Sequence, residues 1–201
     1  MTTNKILMKQ ARESLAGKWW FAVGVFALYT IITAIIGSVK GFGPIASLIV
    51  SGPFILGLSI FSLHFSRNTG AKLEQIFEGF KDFGRSLVAY LIVVLFTLLW
   101  TLLLIIPGII ASLAYSQTFF ILADDKGISG RDAVKKSKKM MYGYKWKYFC
   151  LGLRFIGWGL LAIITLGIGL LWLIPYMQIS RAKFYDDVKG EAVNATENPA
   201  A

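Results

Sequence analysis

Charged residues are absent from a run of thirty-eight residues, Ser86 to Ala123, and the only sharp break inside it is Pro107-Gly108. A single helix of this length would be about 57 Å long at ~1.5 Å per residue, whereas the hydrocarbon core of a bilayer is only ~30 Å thick. The run therefore predicts two membrane-crossing helices that fold back at the proline and glycine.

Three further apolar stretches extend this pattern. They run from Trp20 to Val39, from Phe42 to His64 and from Tyr148 to Phe184, and the last has a break near Leu166-Gly167-Ile168-Gly169. Divided at that break, the last stretch gives two crossings of roughly 16–18 residues, at the short end of the spanning range, and undivided it gives one. The chain therefore contains six crossings joined by short, turn-prone connections, or five.

The distribution of basic residues favours six crossings, because Lys and Arg accumulate in cytoplasmic loops. With six helices and both termini inside, Lys40 is the only one of the 21 basic residues on the outside. Five helices would also export Arg181, Lys183 and Lys189. We therefore predict an all-α, polytopic membrane fold with six transmembrane helices arranged as three hairpins and with both termini cytoplasmic.

Composition agrees with an integral membrane protein. The chain of 201 residues is 56% hydrophobic and only 16% charged, with a mean hydropathy of +0.63. Globular proteins are about 45–50% apolar and about 25% charged. The first apolar stretch is longer than the ~7–15 residues of a signal-peptide core, so we expect it to remain as an anchor. The lone Cys150 excludes an internal disulfide and favours a packing role.

An amphipathic segment precedes each predicted hairpin, at about 4–18, 71–84 and 130–145. Each has a one-sided apolar stripe and ends near a glycine and a basic residue. Ser129, followed by Asp132, predicts a capped helix start for the third segment. We expect these segments at the inner membrane face, within a single domain over residues 1–188, and we expect residues 189–201 to form a disordered tail.

The densest basic cluster lies in and after the third amphipathic segment. Its members are Arg131, Lys135, Lys136, Lys138, Lys139, Lys145 and Lys147, and Arg154 follows inside the next apolar stretch. Near an anionic membrane each such charge is worth about 1 kcal/mol. We predict that these residues contact anionic lipid headgroups, although anchoring and topology alone would use the same pattern. The net charge of +10 indicates a membrane surface and no nucleic acid, because the basic residues flank apolar spans.

No residue pattern indicates a catalytic, metal or cofactor site. Asp124 and Asp125 are adjacent, and adjacent helical residues do not face each other, so we interpret them as a helix end. His64 has no cysteine or carboxylate partner nearby in sequence and makes a poor metal site. Arg154 either snorkels to the inner interface or pairs with Asp124 or a lipid phosphate. Pro175 is expected to kink the last helix.

Several short motifs follow one another along the chain. They are Pro107-Gly108-Ile109-Ile110, Tyr115-Ser116, Ala123-Asp124-Asp125, Ala133 with Ser137, Met141-x-Gly143, Ile156-Gly157-Trp158, Pro175-Tyr176 and Phe184-Tyr185. Together they resemble the DUF975 family of bacterial integral membrane proteins, over roughly residues 3–188. The resemblance implies a multi-pass protein of the bacterial cytoplasmic membrane, of uncharacterised function, loosely similar to the membrane domain attached to some glycerophosphodiester phosphodiesterases. It implies structural roles for the motif residues and carries over no catalytic residue.

We predict a non-enzymatic membrane protein that interacts with lipid or scaffolds a partner at its basic cytoplasmic face. The alternative is a small transporter or flippase-like permease. All eleven acidic residues lie outside the apolar spans, which disfavours a proton- or sodium-coupled carrier because such carriers usually bury a carboxylate. The expected partners are anionic membrane lipids and either a second copy of the chain or another membrane protein, and no cofactor is expected.

Overall fold

The computed structural model of the chain describes residues 1–197, with side chains described as far as Glu191. The described residues form ten helices and no strand, so the predicted all-α fold is confirmed over this range. In chain order the helices are α1 Asn4–Leu15, α2 Trp19–Ser38, α3 Gly43–Ser66, α4 Gln75–Glu78, α5 Phe83–Leu103, α6 Ile105–Tyr115, α7 Thr118–Asp124, α8 Gly130–Met140, α9 Lys145–Ile164 and α10 Leu170–Glu197.

Five segments of the described chain are long and apolar enough to cross a membrane. They are Trp19–Ser38, Gly43–Ser66, Phe83–Leu103, Ile105–Asp124 and Lys145–Ile164. The expected sixth, in α10, differs because only eleven residues, Leu170 to Ser180, precede the charge of Arg181. Eleven helical residues rise about 16 Å, roughly half of the ~30 Å hydrocarbon core. The five apolar helices indicate a membrane protein.

Successive long helices contact one another in three places. The aromatic pairs at these contacts, with their ring-centroid distances, are Tyr29–Phe54 (5.9 Å), Phe96–Tyr115 (6.4 Å) and Tyr148–Phe184 (4.9 Å). A second pair between α9 and α10 joins Phe155 to Tyr176 at 5.3 Å. Residue numbers rise along α9 as they fall along α10, so these two helices run antiparallel.

Helix α3 lies at the centre of the packing. Fourteen of its residues are buried, and its apolar side chains enter two of the three core clusters. Neighbouring backbones approach it at glycines: a Cβ at Gly52 would lie 2.7 Å from the Ser86 carbonyl oxygen, and one at Gly57 would overlap the Ile76 carbonyl. Glycine at these positions therefore sets the distance from α3 to α5 and α4.

The segment 71–84 differs from the amphipathic helix that its pattern predicts. Its α-helical part is the single turn of α4, and only Ile76 of its apolar stripe is fully buried. A Cβ at Gly79 would overlap the Pro53 carbonyl oxygen. Docking of this turn directly on the α3 backbone replaces a regular helix that would lie on the membrane surface.

Helix α1 follows its predicted pattern more closely. Leu7, Ala11 and Leu15 are buried against the core, whereas Lys5 and Lys9 are exposed. Such a division between faces is typical of a helix that packs on a protein on one side and contacts polar surroundings on the other.

Helix α10 continues through residues 189–197, which the sequence predicted to be a disordered tail, and residues 198–201 lie outside the described range. Charged side chains in the later part of α10 form ion pairs with other segments of the chain. Lys189 binds Asp124, and Glu191 binds the amino group of Met1. These contacts attach the helix to the domain beyond residue 188.

Replacement of Gly57 by Ala tests the close contact of α3 with α4. Ala is a better helix former than Gly by about 1 kcal/mol, but here its methyl group would meet the Ile76 carbonyl, and overpacking of this kind lowers stability by roughly 1–3 kcal/mol. We expect a lower apparent melting temperature of the purified protein in detergent. The matched control is Gly24→Ala in α2, where nothing lies within 4 Å of the added atom. Equal melting temperatures for the two variants would contradict the close contact.

Candidate functional site

Helix α8 presents the predicted basic cluster on its outer face. Ser129 caps the helix by accepting a hydrogen bond from the Asp132 amide at 3.1 Å. Ala133, Val134 and Ser137 are buried. The basic side chains of the same helix are exposed, and they are Arg131, Lys135, Lys136, Lys138 and Lys139. The sequence pattern therefore separates an apolar docking face from a cationic outer face.

Ser137 fixes α8 to the junction between α6 and α7. Its hydroxyl donates to the Ala114 carbonyl at 2.9 Å and accepts from the Gln117 amide at 3.2 Å. Gln117 lies between the two helices, where its amide has no helical partner. The buried Ser137 hydroxyl thus provides the missing hydrogen-bond partner for the Gln117 amide at the helix break. The same two hydrogen bonds hold α8 in a fixed orientation.

The cationic face of α8 is only partly neutralised. Lys135 lies 3.6 Å from Asp132 and Lys136 lies 3.7 Å from Asp125, in pairs whose side chains are about half exposed or more. Such exposed pairs contribute roughly 0–1 kcal/mol each. Arg131, Lys138 and Lys139 have no ion-pair partner among the residues that the structure describes. We call Arg131, Lys135, Lys136, Lys138 and Lys139 the α8 basic face.

Three residues of the predicted headgroup cluster lie elsewhere. Lys147 donates to Asp187 at 2.9 Å and lies 5.7 Å from the Phe184 ring centroid, so it is bound within the protein. Arg154 is exposed on α9, and the Asp124 carboxylate proposed as its partner binds other residues. Lys145 is half-buried at the start of α9, after the turn that Gly143 makes with a φ of 83°.

A second set of charges joins the inner ends of three helices. Arg67 follows α3, and its Nη1 donates to Asp124 at 2.8 Å while its Nη2 donates to Asp186 at 2.6 Å. Asp124 ends α7 and also accepts from the Tyr185 hydroxyl at 3.0 Å and from Lys189. These five residues form the inner ion network, which joins α3 and α7 to α10.

Electrostatics within the inner ion network favour the charged form of Arg67. Partial burial alone would lower the pKa of Arg67, but its hydrogen bonds with Asp186 and Asp124 raise the pKa above the ordinary value of an arginine. Hydrogen bonds between ionised groups are roughly twice as strong as neutral ones. The network therefore acts as a structural connection, with its carboxylates engaged by cations and a hydroxyl.

The amino terminus is held by a neighbouring set of contacts. Asp187 accepts from the Thr2 amide at 3.0 Å as well as from Lys147, and Asn4 Nδ2 donates to the Lys147 carbonyl at 2.8 Å. Burial would raise the pKa of Asp187, but the bonds from Thr2 and Lys147 hold that pKa below its usual value. These contacts fix the start of α1 against α9 and α10.

The remaining polar candidates have structural partners. Asp125 accepts from the Gly127 amide at 3.1 Å, so the adjacent Asp124 and Asp125 point to different partners, as a helix end predicts. His64 Nδ1 lies 2.9 Å from the Thr69 hydroxyl. Within the described residues, no three His, Cys, Asp or Glu side chains form a group that could hold a metal ion.

Most of the motif residues lie at contacts between helices. A Cβ at Gly108 would overlap Thr101, which brings α6 close to α5 after Pro107. Tyr115 is buried, and Tyr176, one residue after Pro175 in α10, donates its hydroxyl to the Met8 carbonyl at 3.3 Å. Ile109, Ile110, Ile156 and Trp158 are exceptions, because each is 45% to 57% exposed.

Sequence reasoning missed the inner ion network. Arg67, Asp124 and Asp186 are separated by 57 and 62 positions along the chain, so no local spacing unites them. The available signal was that each follows or ends an apolar stretch on the predicted inner side. That signal gives a common depth, whereas the pairing also requires the order in which the helices pack.

Replacement of Asp124 by Asn tests the inner ion network. The substitution keeps the size of the side chain but removes the charge that Arg67 and Lys189 contact, and hydrogen bonds to charged groups contribute about 1.5–3 kcal/mol each. We expect a reduced free energy of unfolding, measured by denaturant titration in detergent micelles. Asp125→Asn is the matched control, because its lysine partner is 3.7 Å away. A double-mutant cycle with Arg67→Gln should give a combined loss smaller than the sum of the single losses.

Comparison with known proteins identifies the family. The family model described as "Protein of unknown function (DUF975)" matches residues 101–192, just under half of the chain. This region contains α6 to α9, most of α10, and every member of the inner ion network except Arg67. No curated protein and no solved structure matches the chain. The match supports the assignment of this part of the chain, residues 101–192, to the DUF975 family.

Proposed function

We propose that the chain is a non-enzymatic protein of a bacterial cytoplasmic membrane that interacts with anionic lipid through the α8 basic face. The observation that carries this proposal is the fixed orientation of α8. Its small residues are buried at the α6–α7 junction, so five cationic side chains point away from the protein core. Three of the five have no ion-pair partner in the described chain, which leaves their charge available to phosphate groups.

The electrostatic attraction that α8 would gain at an anionic membrane surface supports a lipid partner. A cation at an anionic membrane surface contributes about 1 kcal/mol, so the four lysines together supply about 4 kcal/mol at low salt. Their rigid attachment lowers the entropy that is lost when a lipid headgroup is bound. The basic face would therefore retain anionic lipids more strongly than neutral ones.

The proposal includes six crossings with both termini cytoplasmic. Antiparallel contacts between α9 and α10 support it, because Lys147 at the start of α9 meets Asp187 near the far end of α10. The chain thus returns to the side on which α9 begins. The positions of Arg181, Lys183 and Lys189 on that side agree with the preference of basic residues for the cytoplasm.

A small permease is the second candidate, favoured by a cavity of about 540 Å³ between α3, α5 and α6. Its lining is mostly apolar and includes the hydroxyl-bearing residues Tyr90, Thr97, Thr101 and Ser112. Pro107, Arg154 and Pro175 do not line it.

Single-cysteine labelling tests the six-crossing topology. In a Cys150→Ala background, Gly190→Cys places a thiol on an exposed part of α10, where nothing lies within 4 Å of a Cβ. We expect a membrane-impermeant maleimide to modify this variant only after the cells are permeabilised. Lys40→Cys should react from outside and Lys126→Cys only from inside, and they serve as the two controls. Labelling of the Gly190→Cys variant in intact cells would instead support five crossings.

Charge removal tests the proposed lipid contact. The variant Lys135→Gln, Lys136→Gln, Lys138→Gln, Lys139→Gln should retain fewer phosphatidylglycerol molecules relative to phosphatidylcholine than the unaltered chain, measured by native mass spectrometry after incubation with both lipids. A matched variant removes four exposed lysines elsewhere, Lys5, Lys9, Lys72 and Lys81, and should keep most of the preference. Equal lipid retention by the two variants would overturn the assignment to α8.

A further inference from the structure

A groove on another side of the molecule lies between α2 and α9, with α10 at its base. Trp20 of α2 contacts Trp172 of α10 at a ring-centroid distance of 5.6 Å, and Trp19 lies 6.3 Å from Tyr176. The ring centroid of Phe155 in α9 lies 5.3 Å from that of the same Tyr176. Helix α10 therefore holds the two walls apart while it closes the bottom of the groove.

The groove encloses about 380 Å³, within the range of roughly 300–1,000 Å³ found for small-molecule sites. Its walls are apolar and aromatic, and Trp158, Leu161 and Trp172 are among the residues that line it. The lining includes Gly169, just before α10, and Tyr176 of α10. The chain rises about 10 Å between these two residues. The shape is thus elongated along the helices, as a segment of hydrocarbon chain requires.

The two hydroxyl groups that line the groove already have hydrogen-bond partners within the protein. The Thr165 hydroxyl donates to the Ala162 carbonyl and the Tyr176 hydroxyl donates to the Met8 carbonyl, so both protons are already bound within the protein. Arg12 is the charged residue of the lining, and it has no ion-pair partner among the described residues. A ligand for this site must therefore supply an anionic acceptor beside an apolar body.

We propose that this groove binds one anionic phospholipid of the surrounding bilayer, with an acyl chain against Trp158, Leu161 and Trp172 and the phosphate at Arg12. Charge complementarity selects this occupant over a second copy of the chain, because the exposed Arg12 places a positive charge at one end of an otherwise apolar groove. The site is separate from the α8 basic face and does not depend on it. Because both sites would retain phosphatidylglycerol, the groove variants below are made in the fourfold α8 lysine variant, so that the lipid of the groove is counted separately.

A filling substitution tests the acyl-chain part of the site. Leu161 lines the groove and 56% of its surface is exposed, so Leu161→Trp adds bulk there without entering the core. Leu160→Trp is the matched control, since Leu160 is 60% exposed on the same helix and does not line the groove. In native mass spectrometry of the full chain with added phosphatidylglycerol, we expect Leu161→Trp to weaken retention of one lipid at least tenfold and Leu160→Trp to leave it unchanged.

Removal of the cation tests the phosphate part. Arg12→Gln should reduce phosphatidylglycerol retention about tenfold and phosphatidylcholine retention much less, whereas Lys5→Gln on the same helix should change neither. A photoreactive phosphatidylglycerol with a diazirine in its acyl chain should cross-link to residues 158–176. Cross-linking only elsewhere, equal effects of the two tryptophan variants, or a dimer mass that Leu161→Trp abolishes would overturn the proposal.

Discussion

Close backbone contact with α3 is the constraint on which the arrangement of the other helices depends. Without a hydrophobic driving force between helices in lipid, association relies on van der Waals contact, which small residues permit at short range. Gly52 and Gly57 provide such contacts to α5 and to the α4 turn, and Gly79 provides the reciprocal contact at Pro53. The inner ion network then joins the end of α3 to α7 and α10, so the same helix governs both the apolar packing and the polar inner end.

Helix α10 has a different role along each part of its length. Its first part is apolar and forms the base of the groove, and its charged part carries partners for Arg67, Lys147 and the amino terminus. The family match ends at residue 192, within this charged part. The contacts of both parts therefore fix the position of α10 within the fold.

The sequence predicted those features that depend on local pattern and on bilayer thickness. The uncharged run from Ser86 to Ala123 had to fold back, but the break lies at Leu104, where the backbone is extended, and the predicted Pro107-Gly108 lies in the first turn of α6. Ser129 capped α8 as its spacing required. The exposed face of α8 could also be predicted from the sequence. Ala133 and Ser137 are one helical turn apart and lie on the buried face, so the lysines between and beside them lie on the exposed face.

Other features could not be predicted, because they depend on packing between distant segments. The apolar stripe of residues 71–84 is compatible with a surface helix, and only the glycine contacts with α3 convert it to a single turn. Lys147 resembled the other lysines of the cluster until its position opposite Asp187 was known. Arg12 likewise carries no sequence signal, since it lines the groove only when α1 packs beside α2 and α10.

The unequal apolar lengths of α5 and α10 would affect a surrounding bilayer. Helix α5 has 21 residues, only two of them buried, and rises about 31 Å, whereas the uncharged start of α10 rises about 16 Å. Lipids adjust to a short hydrophobic surface by local thinning, at a fraction of a kcal/mol per Å of mismatch. The protein would therefore present a thick boundary on one flank and a thin one on the other, and shorter-chain lipids would be enriched beside the α9–α10 turn.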